Sequence, residues 1–392
     1  MSTQSNYCAL PFRGMQIDCD GEIKPCCVYK PHVDSSITQY HISNYDQWHA
    51  NSLGAIQTHV INNTVDPGCS SCLSPTALPH PMRTFANNFF KQTTQASATP
   101  EWLDIRFGNF CNLKCMMCTP DSSSQIEQEY NNNNRAYNAL DIKYRADWKK
   151  FDINHNWWDD RQTFDRVVAI VNRARYVNFS GGEPLIVPQL FDLLDAIDPS
   201  CIVTFNTNLT RVTDRALTAL SKLKHVTLQV SLDGIGAHQE YIRWNSKWPE
   251  LDRNIRTVLA LPNVNVIFSY LLQHTSVYTW PALWNYLVPF GRKISIMPVY
   301  EDTISPGLLT LESVSPVDVE KFTQWLESNP QAQDPAIMHW LSGYQYKMAT
   351  HHRFRDYVAM LDSIRGGDFV ATFDPAWSND YSGAIGLPRL SA

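Results

Sequence analysis

The cysteines constrain this chain more than any other feature, because nine of the ten lie within the first 118 residues. At 392 residues the chain is far longer than the small secreted domains that disulfides stabilise. Its N-terminus also lacks the basic stretch and apolar core of a secretory signal. Clustered cysteines in a cytoplasmic chain usually bind metal or carry out redox chemistry. We therefore expect a cytoplasmic metalloprotein.

Composition excludes several other classes of protein. The chain is 44% hydrophobic and 18% charged, which is enough apolar sequence for a sizeable core and too much for a disordered protein. The net charge is −6, so we expect no broad basic surface for nucleic acid. No run of eighteen apolar residues occurs, so we expect no membrane-spanning helix.

Strand patterns alternate with helical patterns between residues 101 and 300. This alternation predicts an α/β domain with parallel strands and right-handed crossovers, either as an open sheet or as part of a barrel. Functional loops of such sheets lie at the carboxyl ends of the strands. The candidate strands are 102–107, 176–180, 201–206, 225–230, 264–270 and 293–299.

The rest of the chain divides around this domain. Residues 1–78 predict a small cysteine-rich domain, and residues 79–100 read as a linker because they are rich in proline and polar residues. A polar insertion occupies 121–165, and residues 301–392 predict a helical C-terminal extension. Within that extension, apolar residues at helical spacing most simply form a packing face: Phe354, Tyr357, Val358, Leu361 and Ile364.

Three cysteines follow the first candidate strand with spacings of three and then two residues: Cys111, Cys115 and Cys118. Three thiolates within eight residues suit an iron–sulfur cluster. A structural zinc ion normally has four protein ligands. A four-iron cluster held by three thiolates leaves one iron open to a substrate or cofactor. The alternatives are a zinc site with a distant fourth ligand, or three buried free cysteines.

A second motif, Ser180 to Pro184, ends the next candidate strand. Gly181 and Gly182 allow the backbone to approach a ligand closely, and Glu183 offers a carboxylate to an ammonium group. The motif is weak alone, because Gly-Gly turns before helices are common. Its position one strand after the cysteine loop gives it weight.

These two motifs in this order resemble those of the radical SAM superfamily. The resemblance implies a partial (β/α)6 TIM-type barrel and a 4Fe-4S cluster on the three cysteines. It also implies that the open iron binds S-adenosylmethionine, whose reductive cleavage releases a 5′-deoxyadenosyl radical. An external reductant such as flavodoxin or ferredoxin is then expected as a partner.

The resemblance further implies a set of cofactor-binding residues near the strand ends. Glu183 would bind the amino group of S-adenosylmethionine, and Arg243 its carboxylate, although Arg243 could also form a surface ion pair. Met117 stands where relatives usually have an aromatic residue near the adenine. The implied set is Met117, Gly181, Gly182, Glu183, Asn208, Ser231, Asp233 and Arg243.

Four N-terminal cysteines have the spacing of a closed four-thiolate site: Cys8, Cys26, Cys69 and Cys72. A hairpin that turns at Asp20-Gly21 would bring the first two together. The segment resembles the twitch or SPASM-like auxiliary-cluster segment of radical SAM proteins, placed here before the barrel as in a group that is often phage-encoded. This implies an auxiliary 4Fe-4S cluster, whereas a zinc ribbon is the alternative. Cys27 is either a substitute ligand or buried, and Cys19 and Cys201 read as packing residues.

The leading hypothesis is therefore a radical SAM enzyme that abstracts hydrogen from a substrate, as its resemblance implies, with a peptide or protein as the expected substrate. The auxiliary cluster would accept the electron. One alternative is a non-oxidative enzyme such as an epimerase. Another is a zinc-stabilised binding protein that stacks ligands on Trp157 and Trp158. No single general base stands out among the candidates Asp104, Asp233, Glu240 and His274.

Overall fold

The structure is a computed structural model, and it describes residues 6–30, 40–51, 53–73, 81–91, 94–140, 156–299 and 308–373. It confirms the predicted fold class, since a largely parallel sheet is combined with many helices. The chain forms two compact units. The first contains Met1–Cys111, Asp147–Gln229 and Ile255–Val266, and the second contains Asn112–Ala146, Val230–Asn254 and Ile267–Ala392.

The sheet of the first unit has parallel strands at its centre and an antiparallel hairpin at one edge. Its hydrogen-bonded order runs β3-β2-β1-β4-β6-β7-β8, followed by the first residues of β10. The bounds are Gly14–Ile17 for β1, Glu22–Lys24 for β2, Tyr40–His41 for β3, Trp102–Arg106 for β4, Tyr176–Ser180 for β6, Ile202–Thr207 for β7, His225–Ser231 for β8 and Val264–Leu272 for β10. Each predicted strand from β4 onwards in this unit is present, within one or two residues of its expected ends.

The N-terminal hairpin is part of this sheet. β1 pairs antiparallel with β2, with Ile17 opposite Ile23, so the predicted hairpin about Asp20-Gly21 is present. On its other side β1 pairs in parallel with β4, with Met15 opposite Leu103. The cysteine-rich segment is therefore joined to the α/β sheet by main-chain hydrogen bonds.

The two faces of the central strands differ in chemistry. One face is apolar and buried, with Ile105 beside Phe179 on β6 and Phe205 on the next strand. The opposite face carries a polar row formed by Asp104, Asn178 and Thr204, linked by side-chain hydrogen bonds of 2.9 and 2.8 Å. Parallel strands are usually apolar on both faces, so a polar row marks a functional surface.

Helices cover the first unit and also fill part of the predicted linker. Residues 81–89 form a helix, where the sequence predicted only a linker, because the aromatic residues of this segment pack on Trp102 and Tyr176. The helices are α1 Leu10–Arg13, α2 Tyr45–Asn51, α3 Leu53–Ile61, α4 Ser70–Leu73, α5 Pro81–Phe89, α8 Arg161–Val171, α9 Pro188–Ala196 and α10 Asp214–Lys222.

The second unit continues β8 and β10 and adds β11, Ile294–Pro298, which pairs in parallel with β10. A separate two-stranded ladder joins β5, Lys114–Cys115, to β9, Arg243–Trp244. Helix α12 has residues in both units. The helices are α6 Ser124–Asn132, α7 Asn134–Ala139, α11 Gly236–Ile242, α12 Trp248–Leu259, α13 Ser276–Leu287, α14 Pro316–Ser328, α15 Pro335–Ser342, α16 Met348–Arg365 and α17 Phe369–Phe373.

A buried ion pair links the predicted insertion to the C-terminal extension within this unit. The Arg365 guanidinium donates to both carboxylate oxygens of Glu129, at 2.7 to 3.2 Å. Lys114 lies 3.4 Å from the same carboxylate, and the Tyr137 hydroxyl donates to it at 2.8 Å. Glu129 thus ties helices α6, α7 and α16 to the strand that carries Cys115.

Parts of the predicted segments lie outside the described residues, among them 31–39 and 74–78 of the N-terminal domain, 141–155 of the insertion, and 301–307 and 374–392 of the extension. Among the helices that the structure describes, none has the length and apolar composition needed to cross a bilayer. The predicted domain boundaries stay predictions.

Replacing Arg365 with methionine should destabilise the protein by about 3 kcal/mol, because it leaves a buried carboxylate without its main partner. The side chains of Arg365 and Glu129 are 3% and 1% exposed. Arg161→Met is the matched control, since Arg161 pairs with Asp165 at the surface, where both side chains are more than half exposed. Urea denaturation measures both changes. Equal midpoints for the two variants would contradict this account of the buried pair.

Candidate functional site

The cysteine loop begins where β4 ends, and its first ligand candidate belongs to the first unit. Cys111 is buried, and the side-chain amide of Asn208 donates towards its sulfur at 3.9 Å. Asn208 follows β7, as the sequence predicts for a cofactor-site residue. The amide group of a neighbouring strand end therefore faces the first cysteine of the loop.

The two glycines of the second motif pack against this loop. Gly182 has a φ of +55°, and a Cβ built on it would lie 2.2 Å from the Phe110 carbonyl oxygen. The following residue, Glu183, donates its backbone N–H to the same oxygen at 2.8 Å. Gly181 has a φ of +79°, and a Cβ built on it would collide with Arg106. The glycines thus permit contact with the backbone of the cysteine loop.

The Glu183 carboxylate is buried and receives several hydrogen bonds. The Thr207 hydroxyl donates to Oε1 at 2.7 Å, and the backbone N–H of Asn208 donates to Oε2 at 2.6 Å. Leu185 N–H also donates to Oε1, at 3.2 Å.

The other two loop cysteines belong to the second unit. Cys115 lies on β5, opposite Arg243 on β9, and Cys118 donates its N–H to the Cys115 carbonyl at 3.1 Å. A hydrogen bond from Cys118 and the positive charge of Arg243 lower the pKa of Cys115 to about 7, against the effect of burial. The thiolate is the form that binds iron, so this environment favours ligation. Met117 beside them is buried.

Arg243 is held by a buried acidic partner. Its Nε donates to Asp233 Oδ2 at 2.7 Å, and its Nη1 donates to the Cys115 sulfur at 3.7 Å. Burial disfavours its charge, but Asp233 and the two thiols raise the pKa of Arg243 above its ordinary value. Asp233 also accepts the N–H of Leu271 at 3.1 Å. Ser231, at the end of β8, is partly buried. The ion pair of Arg243 with Asp233 is therefore buried, unlike the surface ion pair that the sequence left open as an alternative.

The C-terminal extension contacts the cysteine loop, which sequence reasoning missed. The hydroxyl of Tyr357 on α16 donates to the Met116 carbonyl at 2.6 Å, and this hydroxyl is fully buried. The apolar residues at helical spacing on α16 predicted which face of this helix is buried. The signal for the missed contact was a tyrosine, in place of leucine or phenylalanine, on that face, because a buried hydroxyl needs a polar partner.

The four N-terminal thiols predicted to form a second site line one cavity in the first unit, together with apolar side chains and Arg83. Burial raises the pKa of Cys8 to about 11 and of Cys69 to about 12, with a further contribution from the neighbouring thiols. Arg83 holds the surrounding backbone through the carbonyls of Tyr7 and Cys72. The thiols are Cys8, Cys26, Cys69 and Cys72.

The donor types of this cavity are four thiols of the chain. A structural zinc ion and a four-iron cluster both accept four thiolates, so the donor types fit either group. Within the described ranges no three His, Cys, Asp or Glu side chains are placed to hold one metal ion.

The remaining cysteines have separate environments. Cys27 does not line the cavity of its neighbour Cys26; its sulfur lies 3.6 Å from Met82, and it forms a hydrogen bond with Asp104. Cys19 donates to the Gly108 carbonyl at 3.1 Å. Cys201 is buried, as predicted for a core cysteine.

The candidate bases are also distinguished by their contacts. Glu240 accepts the Trp248 N–H, and His274 is buried and stacked on Phe354. Asp233 is paired with Arg243. Asp104 is the carboxyl of the polar row of the first unit, and burial raises its pKa.

Part of the chain matches a known protein family. Residues 105–275 match the family described as the Radical SAM superfamily. Mycofactocin maturase MftC of Mycobacterium tuberculosis (strain CDC 1551 / Oshkosh) is 31% identical over 104 residues, which are 26% of this chain and 27% of that protein. The chain thus aligns with about a quarter of that relative.

Solved structures also resemble the chain. The crystal structure of Streptococcus suis SuiB bound to precursor peptide SuiA superposes with a TM-score of 0.40 at 15% identity. The superposition covers 81% of this chain and 69% of that one.

Replacing Gly182 with alanine should destabilise the first unit by at least about 2 kcal/mol, because the added methyl group brings a steric clash as well as the cost of a positive φ. Gly236→Ala is the control, since Gly236 has a φ of +54° and open space around it. Thermal unfolding of the two variants separates the clash from the backbone strain. A Gly182→Ala variant as stable as Gly236→Ala would contradict this account, because it would show that the cysteine loop moves away from the added methyl group at no cost in stability.

Asp104→Asn should become more stabilising, relative to the native protein, as the pH rises from about 4 to about 8. The folded-state pKa of Asp104 is raised. Its contribution to stability is therefore present below the unfolded pKa and lost as the pH rises through the folded one. Asp198→Asn should show the opposite trend, because hydrogen bonds from Ser200 lower the pKa of Asp198. For Asp198 the change falls below about pH 4, because its lowered pKa lies under the unfolded value. Urea midpoints measured from about pH 3 to about pH 8 therefore test both signs.

Proposed function

We propose that this chain, whose residues 105–275 belong to the radical SAM superfamily, is an enzyme that removes hydrogen from a peptide or protein substrate. The observation that carries the proposal is the three-cysteine loop of this domain, which the Gly182–Glu183 turn supports through the Phe110 carbonyl. When bound, a 4Fe-4S cluster and S-adenosylmethionine supply a 5′-deoxyadenosyl radical that abstracts a hydrogen atom. The protein supplies binding, orientation and exclusion of water.

The cofactor-binding roles follow from the charges at the strand ends. Glu183 binds the amino group of S-adenosylmethionine, since its carboxylate is buried and fixed by three donors. Arg243 binds the carboxylate from a side chain that Asp233 holds in place. Met117, Asn208 and Ser231 complete the site. Gly181 and Gly182 shape the turn beside the cysteine loop.

The auxiliary site takes a second 4Fe-4S cluster on Cys8, Cys26, Cys69 and Cys72. Support comes from the cavity that the four thiols share. Because all four ligands are thiolates of the chain, such a cluster would have no open iron for S-adenosylmethionine. When bound, it would supply an acceptor for the electron that the substrate gives up.

Asp104 accepts the proton that leaves in the same oxidation. It lies on the strand that precedes the cysteine loop, and it forms a hydrogen bond with Cys27, the direct neighbour of the auxiliary ligand Cys26. Electron acceptor and proton acceptor are thus adjacent within the first unit. An external flavodoxin or ferredoxin supplies the electron that starts each turnover, in the cytoplasm.

The peptide substrate is inferred from two sources. The relative that shares 31% identity over part of this domain is named a maturase, and maturases modify a precursor. The N-terminal cysteine pattern resembles an auxiliary segment of enzymes that mostly act on peptides, proteins, or carbohydrate and cofactor precursors. A non-oxidative outcome such as epimerisation is the alternative, and product mass distinguishes it, since oxidation removes two hydrogens.

A zinc-stabilised stacking protein is disfavoured by two buried tryptophans. Trp157 donates its indole N–H to the Arg106 carbonyl at 3.2 Å, and both Trp157 and Trp158 are buried. They therefore offer no surface for stacking.

The deciding experiment counts iron and measures cleavage of S-adenosylmethionine in anaerobically reconstituted protein. We expect about eight iron atoms per native chain, because two 4Fe-4S clusters bind. A Cys115→Ala variant should retain about four and lose cleavage, whereas a Cys69→Ala, Cys72→Ala variant should retain about four and keep cleavage. Cys201→Ala is the control and should match the native protein. About four irons with one zinc in the native chain would refute the auxiliary cluster.

A further inference from the structure

An open cavity on the first unit has no role in the proposed cofactor site. It has a volume of about 460 Å³ and lies at the amino ends of β6, β7 and β8, whereas the cysteine loop follows the carboxyl end of β4. Its floor includes the buried residues Ala174 and Cys201. Its rim is exposed and polar or charged, and includes Asn172, Arg173, Arg175, Asp198, Ser200 and His225. The cavity is therefore a surface feature at the opposite end of the parallel strands.

Helix α5 connects this cavity to the four N-terminal thiols. Met82 and Arg83, at the start of the helix, line the cavity that contains the thiols, and Phe89, at its end, lines the open cavity. An α-helix rises about 1.5 Å per residue, so these two positions lie about 10 Å apart along the helix axis. The thiols are thus close to this part of the surface.

Aromatic side chains fill the space between the thiols and the surface. Cys8 and Cys26 pack against a core cluster that contains Trp102. Trp102 stacks on Tyr176, with ring centroids 3.8 Å apart. Phe85 of α5 packs edge-on against both rings, at 5.3 and 5.7 Å, and is itself 46% exposed. A continuous set of packed side chains therefore leads from two of the thiols to an exposed ring.

The same surface is positively charged, although the whole chain has a net charge of −6. The Arg175 guanidinium lies 4.9 Å from the ring centroid of Phe89, and its side chain is 55% exposed. Arg175 shares the Glu101 carboxylate with Arg13, so these three groups together retain one positive charge. Arg173 is exposed, and within the described residues no ion pair neutralises it. An acidic partner would therefore be attracted to this surface.

The acidic residue on the cavity rim does not cancel this charge. Ser200 donates to Asp198 Oδ1 through its N–H at 2.7 Å and its hydroxyl at 2.6 Å. These hydrogen bonds from Ser200 and the charge of Lys224 hold the pKa of Asp198 below its ordinary value. Because Lys224 balances Asp198, the arginines leave the rim with a net positive charge.

We infer that the docking face formed by Phe85, Phe89, Arg173 and Arg175 binds a small acidic one-electron carrier protein. The inference rests on the proposed function, because it concerns the electron that a cluster on the four thiols would accept. A positive face attracts an acidic partner and steers its approach, while an exposed aromatic ring gives the contact an apolar centre. Electron-transfer complexes are weak and bury less than about 1,200 Å² in total, so a few residues of this kind suffice.

The electrons of this step balance without any further reactant. In the proposed reaction the substrate first loses a hydrogen atom to the 5′-deoxyadenosyl radical, and then loses one proton to Asp104 and one electron to the auxiliary site. The oxidised carrier takes up that electron at the docking face and is reduced by one electron. No bond forms or breaks, and the auxiliary site can accept an electron again.

Cross-linking tests the location of the docking face, with oxidised flavodoxin as the probe. A carbodiimide joins lysine amines to carboxylates as amides but does not join arginine. In the reconstituted chain, Arg173→Lys should therefore form an amide with a flavodoxin carboxylate, which peptide mass spectrometry detects. Arg161→Lys is the matched control, because Arg161 is 85% exposed in the same unit but lies at the other end of α8, about 16 Å away. Cross-links at neither position, or equally at both, would overturn the docking face.

Electron transfer is tested in a Cys115→Ala variant, in which the proposed auxiliary cluster is the one retained. The variant is reduced, separated from the reductant and mixed with oxidised flavodoxin, and flavin absorbance follows the transfer. Adding Arg173→Glu should slow the second-order reaction about five-fold at low ionic strength, whereas adding Arg161→Glu should change it less than about two-fold. At about 1 M salt the difference should vanish, because charges are then screened beyond about 3 Å. Equal rates for the two variants at low salt would contradict the inference.

The two experiments also separate this inference from the proposed function. Iron content and cleavage of S-adenosylmethionine in the native protein test that function by themselves. If iron counting finds no auxiliary cluster while Arg173→Lys alone forms the cross-link, the docking face is supported and the auxiliary cluster is refuted. If both clusters and cleavage are found but the cross-link does not form, the docking face is refuted and the proposed function stands.

Discussion

One backbone contact supports the proposed active site, and it depends on the absence of a side chain. At Gly182 the chain passes so close to the Phe110 carbonyl that a Cβ has no room, and the next N–H bonds that oxygen. The end of β6 thereby fixes the loop that leads to Cys111. Glu183 is placed by the same turn, where Thr207 and Asn208 from β7 orient its carboxylate. The geometry of the loop and the placement of Glu183 therefore depend on a single turn.

The second unit fixes its part of the cysteine loop with buried charges and hydroxyls. Arg243 lies between Asp233 and the Cys115 sulfur, so its position is set before any cofactor binds. Tyr357 holds the Met116 carbonyl, and Glu129 joins Lys114 to Arg365. These groups are costly to bury singly, and each is compensated by a partner. The C-terminal extension is thus part of the support of the loop.

Sequence alone predicted what depends on local pattern. The parallel strands followed from runs such as 102–107 and 264–270, and the two motifs predicted the family whose model residues 105–275 match. It did not predict contacts made by distant segments. Helix α5 forms in the expected linker because its aromatic side chains pack on Trp102. The contact of Tyr357 with Met116 spans 241 residues, and an apolar stripe does not specify which carbonyl its one hydroxyl meets.

The pairing of β1 with β4 has a consequence for the order in which the protein forms. Met15 lies opposite Leu103, so β1 cannot pair with β4 until the ribosome has added 88 further residues. Until then the N-terminal thiols lie on a chain whose sheet edge is open, and such edges aggregate readily. The scaffold of the four N-terminal thiols is thus completed only when the strand that precedes Cys111 has been made. The N-terminal segment and the cysteine loop therefore depend on the same event in translation.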